Sequence, residues 1–212
     1  MENLELVREN ITSVMTPSKD IDARYHHNSS YSKAITICRH GIMTISDLNK
    51  HGIRHDSPEQ LKKWSDLESH ANGIDAVSLA VTDSTDNYED EEVYNPTSPL
   101  SVDFRVSSGI DAGRHSIHYA NEYLCHRSIR KEELRAVDIR LLKLIRLVMT
   151  GDRQTTVFNK IDADKVIEKY NYLIEVAKEM EKEGLGIPLR ELSEDGKIYS
   201  LDINELAKKA KM

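Results

Sequence analysis

The chain has 212 residues, with 29 Lys and Arg against 36 Asp and Glu, a formal charge of −7 and a pI near 5.7. Hydrophobic residues make up 39% and charged residues 31%, which excludes a collagen-like or bulk-disordered polymer and is enough for one mid-sized core. No apolar run reaches the roughly 20 residues that span a bilayer, and MENLELVREN carries no secretory signature. Two cysteines, Cys38 and Cys125, supply neither a disulfide framework nor a four-thiolate zinc site, so the expectation is a reduced, cytoplasmic protein with no membrane partner.

In chain order, residues 3–16 read as an amphipathic helix ended by Pro17, and residues 23–27 as a short strand. Ser29 or Ser30 caps a helix over 31–40, where Ala34, Ile37 and Cys38 keep helical spacing and Gly41 ends the run. A small helix at 45–51 stops at Gly52. Ser57-Pro58-Glu59-Gln60 is a helix start, with Ser as cap and Pro in the first turn, and that helix is expected to reach about His70. The period then changes. Val77, Leu79 and Val81 alternate with small polar residues, as do Val102, Phe104 and Val106 with charged ones, and both patterns predict half-buried strands. Between them, residues 83–92 hold six acids and read as a solvated loop. Short strands are expected at 122–125 and 136–139, then a helix over 141–149. From Asp162 to about 183, Val166, Tyr170, Leu173, Ala177 and Met180 mark a long helix, and a last helix follows Ser200 or Asp202. The expected architecture is α+β: a body over residues 1–150 and a helical C-terminal extension over 151–212 packed on it.

Several groups are weighed and set aside. His51-x3-His55 and His115-x2-His118 lack a third ligand, so they read as surface histidines and no metal is expected. Glu89 to Glu92 lacks the spaced acids and central glycine of a calcium loop. No phosphate-cradling glycine loop and no G-x-S-x-G elbow occurs. The net charge disfavours a nucleic-acid partner, although Arg127, Arg130, Lys131, Arg135, Arg140, Lys143 and Arg146 form a local basic stretch.

The constellation that carries chemistry is spread over three segments: Tyr25-His26-His27-Asn28-Ser29 before a helix closing on Gly41-Ile42; Asp75-Ala76-Val77-Ser78 opening a strand; and Asn121-Glu122-Tyr123-Leu124-Cys125 followed by a capped turn. A carboxylate opening an apolar strand is not put there by packing. In order and spacing these segments resemble the ADP-ribosyltransferase superfamily, closest to its DarT-like branch, over residues 24–140. The resemblance implies a split β-sheet with flanking helices, NAD as substrate, and a macromolecular acceptor, nucleic acid or protein. It implies Glu122 as catalytic carboxylate, with His27 and Ser29 on the adenosine end of NAD. It further implies Ser78 at the nicotinamide ribose or positioning Glu122, and Arg114 at a phosphate. His26 replaces His27 if the register slips by one residue. Three departures stand out: Ala120 occupies the position two before Glu122, where members that modify proteins carry Glu or Gln; the middle strand lacks the tyrosine that often stacks on nicotinamide, with Tyr119 or Tyr123 left to approach from the other side; and Arg130 replaces the usual proline. Two other readings stay open, an RNA 2′-phosphotransferase-like enzyme and a non-catalytic interaction protein docking through the 162–183 helix.

Overall fold

The computed structural model describes residues 2–53, 76–81, 101–114, 122–151, 162–193 and 196–209, with Arg114 and Glu122 placed by their backbone. The helix expected over 57–70, the acidic loop, His55, the His115/His118 pair, Tyr119 and Ala120 lie outside these residues.

The first helix, α1 (Glu2–Thr12), buries Leu4, Val7 and Ile11 and ends earlier than expected. The chain then extends as β1 (Met15–Pro17), an edge strand where proline's missing N–H removes no ladder bond. Next come β2 (Ala23–Ser30), α2 (Tyr31–His40), α3 (Ile45–Lys50), β3 (Val77–Val81), β4 (Ser101–Ser107), β5 (Gly113–Arg114) and β6 (Glu122–Cys125). A 3₁₀ turn at Lys131–Glu133 leads to β7 (Leu134–Ile139) and α4 (Leu141–Thr150). Then follow α5 (Ala163–Lys182), β8 (Leu189–Leu192), β9 (Ile198–Leu201) and α6 (Ile203–Ala207).

The strands form one sheet in the order β1-β9-β8-β7-β4-β2-β3-β6-β5. Every pairing is antiparallel except β7 with β8, which α4 and α5 connect as a crossover. This architecture is α+β, as expected, but two particulars differ. The described ladder runs without a break from β1 to β5 instead of splitting in two. Residues 151–212 also contribute β8 and β9 to the sheet, so this part of the chain is not a purely helical extension. Its long helix, α5, packs on α1, α2, α4 and α6 and buries Val166, Tyr170, Leu173, Ile174, Ala177 and Met180.

The register of β2 on β4 sorts the sheet's two faces. Tyr25, His27 and Ser29 stand across from Val106, Phe104 and Val102, while His26, Asn28 and Ser30 stand across from Arg105, Asp103 and Ser101. Side chains alternate along a strand, so the first set takes the apolar face under the helices and the second a charged face. The half-buried reading of β4 therefore fails in an instructive way. Ser101 to Val106 are all buried, charged residues included.

Two devices fix the turn after β2. Ser30 caps α2 by accepting from the backbone N–H of Lys33 at 3.3 Å. At the other end Gly41 has φ 81° and ψ −171°, a region open essentially to glycine. A Cβ there would stand 2.1 Å from the carbonyl oxygen of Ile129. That approach lets Ile42 and Ile129 exchange two backbone hydrogen bonds, 2.9 and 2.7 Å, tying the end of α2 to the turn beyond β6.

Candidate functional site

The five residues singled out from sequence fall on four strands that are neighbours in the sheet, β2, β3, β6 and β5. The geometry joins two of them directly. The His27 Nδ1–H donates to the Ser78 carbonyl oxygen at 2.9 Å, which fixes the tautomer of that ring. Ser78 thus holds His27 through its backbone, and its side chain is exposed. Ser29 lies two residues further along β2 on the same face as His27 and is buried. On the far strands, Arg114 pairs with Tyr123, and Glu122 pairs with Ala80.

Following the register across the sheet gives one row: Ala136 on β7, Arg105 on β4, His26 on β2, Ala80 on β3 and Glu122 on β6. With strands roughly 4.8 Å apart, His26 and Glu122 are about 10 Å apart along this row. The imidazole in step with Glu122 is therefore His26, while His27 belongs to the opposite face. The small Ala80 stands between His26 and Glu122. His26 is buried, and its pKa falls to about 3 through burial first, then the Arg105 cation and His27. At neutral pH it is an uncharged hydrogen-bonding group.

On the charged face lies a polar layer that the motif reading missed. The Asn28 Nδ2 donates to Ser101 Oγ at 2.8 Å and to Asp103 Oδ1 at 2.9 Å. Arg190 donates twice to Asp138, both at 2.7 Å, and Arg105 Nε lies 3.6 Å from the same carboxylate. Asp103, Arg105, Asp138 and Arg190 are all nearly inaccessible to solvent. The signal was present in the sequence as charges at every second position of β4, where the alternation predicts a half-buried strand.

The basic stretch is largely spent within the protein. Arg127 makes a two-bond pair with Glu133, 2.8 and 2.6 Å, which holds that carboxyl down at about 2. Lys131 bonds Glu183 at 2.7 Å, Arg135 donates to the carbonyls of Glu132 and Leu134, and Arg140 is buried. These side chains do not present a continuous cationic stripe.

Among the described residues no group of three or more His, Cys, Asp or Glu is arranged to hold a metal ion. His51 donates from Nδ1 to the Asp47 carbonyl at 2.8 Å and lies against His40. Burial, with Glu179 and Glu183 nearby, pushes the Cys38 thiol up to about 12, so it is not a nucleophile at neutral pH. No described helix is long and apolar enough to cross a membrane. Comparison with family models, with curated proteins and with solved structures finds no match to this chain.

Proposed function

We propose that this chain transfers ADP-ribose from NAD to a macromolecular acceptor, nucleic acid or protein, with release of nicotinamide. The observation that supports it best is the adjacency of β2, β3 and β6. Three segments distant in sequence meet there, and Glu122 stands two strands from the His26-His27 pair.

The chemistry follows from the bond to be broken. As nicotinamide leaves, its ribose gains oxocarbenium character, and a carboxylate beside that ribose stabilises the positive charge. Glu122 fills this role, accepts the ribose 2′-hydroxyl, and takes the proton of the incoming nucleophile. His27, its ring oriented by the Ser78 carbonyl, and Ser29 hold the adenosine end from the face opposite Glu122, so the dinucleotide passes over the strand end between the two faces. Arg114, one strand beyond Glu122, contacts a phosphate. The uncharged His26 in the Glu122 row contributes a hydrogen bond and not a proton.

The test is nicotinamide release from NAD by the full chain, alone and with nucleic-acid or protein acceptors. Glu122→Gln is expected to lower the rate by a factor on the order of 10²–10³ with an unchanged thermal unfolding midpoint. Wild-type protein that neither binds NAD nor releases nicotinamide with any acceptor refutes the reading.

A further inference from the structure

Arg24 differs from several of the described cations. Arg8, Arg39, Arg127, Lys131 and Arg190 each lie against a carboxylate. Arg24 is exposed and lies over two aromatic faces. Its guanidinium carbon stands 5.5 Å from the ring centre of Tyr25 and 6.0 Å from that of Tyr123. Those rings are themselves 5.6 Å apart and tilted by 59°.

Local backbone explains the placement. Ala23 pairs with Ser107 and Tyr25 with the adjacent Val106, so Arg24 is the extra residue of a β-bulge. A bulge re-aims a side chain, and here it swings the guanidinium over the two tyrosines. Arg135 is a second bulged arginine, on β7, but it donates to the carbonyls of Glu132 and Leu134 and to Ser107 Oγ. Arg24 has no such acceptor among the described residues. Tyr123, which helps support it, follows Glu122 directly and pairs with Arg114.

A guanidinium resting near aromatic faces, with no described carboxylate or carbonyl to spend its N–H groups on, keeps those donors available in a fork that matches phosphate oxygens. We propose that Arg24, mounted on Tyr25 and Tyr123 at the start of β2, on the face that carries His27, is a phosphate-binding residue where the proposed site passes over that strand end. The identity of that site rests on the function proposed above. The phosphate belongs either to NAD or to a phosphate-bearing acceptor.

Binding of NAD, ADP, inorganic pyrophosphate and a short single-stranded oligonucleotide is to be measured on the full chain, with adenosine as the phosphate-free control. Arg24→Gln should weaken at least one phosphate-bearing probe by roughly tenfold to a hundredfold, the loss expected for a charge-assisted hydrogen bond. Adenosine should be unaffected. Arg24→Lys should recover part of the loss, since it restores charge without the fork. Tyr123→Leu should weaken the same probe through loss of the platform, whereas Tyr123→Phe should not. An effect on NAD and ADP assigns the donor phosphates; an effect confined to the oligonucleotide assigns the acceptor. If pyrophosphate or the oligonucleotide depends on Arg24 while NAD fails to bind, the phosphate site stands and the NAD reading falls. If no phosphate-bearing probe binds the folded wild type, or none responds to Arg24→Gln, the proposal is overturned.

Discussion

Gly41→Ala tests how the helix that follows the histidine strand is anchored. Two costs add. The backbone at φ 81° and ψ −171° lies where a residue with a Cβ pays roughly 1–3 kcal/mol. The new methyl would also sit 2.1 Å from the Ile129 carbonyl oxygen, inside any real contact distance. That oxygen belongs to backbone, so the two segments must part by about an ångström, putting the Ile42–Ile129 pair of hydrogen bonds at risk. Two such bonds are worth about 1 kcal/mol each, which brings the total to about 3–5 kcal/mol. For a chain of this size each kcal/mol moves the unfolding midpoint by roughly 2–4 °C, so the expected drop is on the order of 10 °C.

Gly52→Ala is the matched control. Gly52 has φ +66° but open space where a Cβ would go, so it bears the conformational cost alone, about 1–2 kcal/mol. Thermal unfolding of both variants by circular dichroism separates strain from collision. Equal losses in the two variants would refute the close approach between Gly41 and Ile129. They would also undo the claim that this glycine ties α2 to the turn beyond Glu122.

Two further outcomes follow from the charged face. His26 is held unprotonated in the fold, with a pKa near 3 against 6.5 when exposed, so the folded state binds fewer protons. Its contribution is fully present above pH 6.5 and is lost as the pH falls toward 3. The wild type should therefore give up about 2 kcal/mol between pH 6.5 and pH 5, measured by urea unfolding, and His26→Gln should flatten that slope; an unchanged slope would show that His26 titrates normally. Asp138→Ala leaves the buried Arg190 guanidinium without its carboxylate and should cost about 3–5 kcal/mol. The double variant Asp138→Leu with Arg190→Met should recover part of that, the remainder being the buried Arg105 left without the Asp138 carboxylate; a double variant as unstable as the single one would contradict the pairing.

The sequence made the long-period elements readable because their signals are local. Ser30, Gly41 and the apolar spacing of α2 and α5 each depend on a few adjacent residues, and each element appears where they indicate. Strands β8 and β9 were not legible. Leu189-Arg190-Glu191-Leu192 shows no alternation, because both central charges are satisfied by distant partners. Arg190 bonds Asp138, and Glu191 accepts from the backbone N–H groups of Leu141 and Leu142 at the start of α4. Such a strand is stable only once its partners are in place, and single-sequence patterning carries no record of them.

The candidate site was legible at the level of strands and ambiguous by one residue. His26-His27 offers an imidazole to each face, and composition alone cannot tell which one meets Glu122. Register decides it, because a shift of one residue exchanges the faces of a whole strand. Here β3 is the arbiter, since Ala80 pairs with both His26 and Glu122. The two histidines then divide the work by environment. His27, on the helix-covered face, is oriented by a carbonyl, while His26 is stripped of its charge by burial beside Arg105. A site that uses both would reach its ligand from the end of β2, where the bulge at Arg24 already turns one side chain out of the ladder. Adenosine and phosphate contacts on the His27 side, with ribose chemistry on the Glu122 side, would place the dinucleotide across that strand end and not along either face. Separate loss of NAD affinity in His27→Ala and of turnover in His26→Ala would fit that division, and identical phenotypes would contradict it.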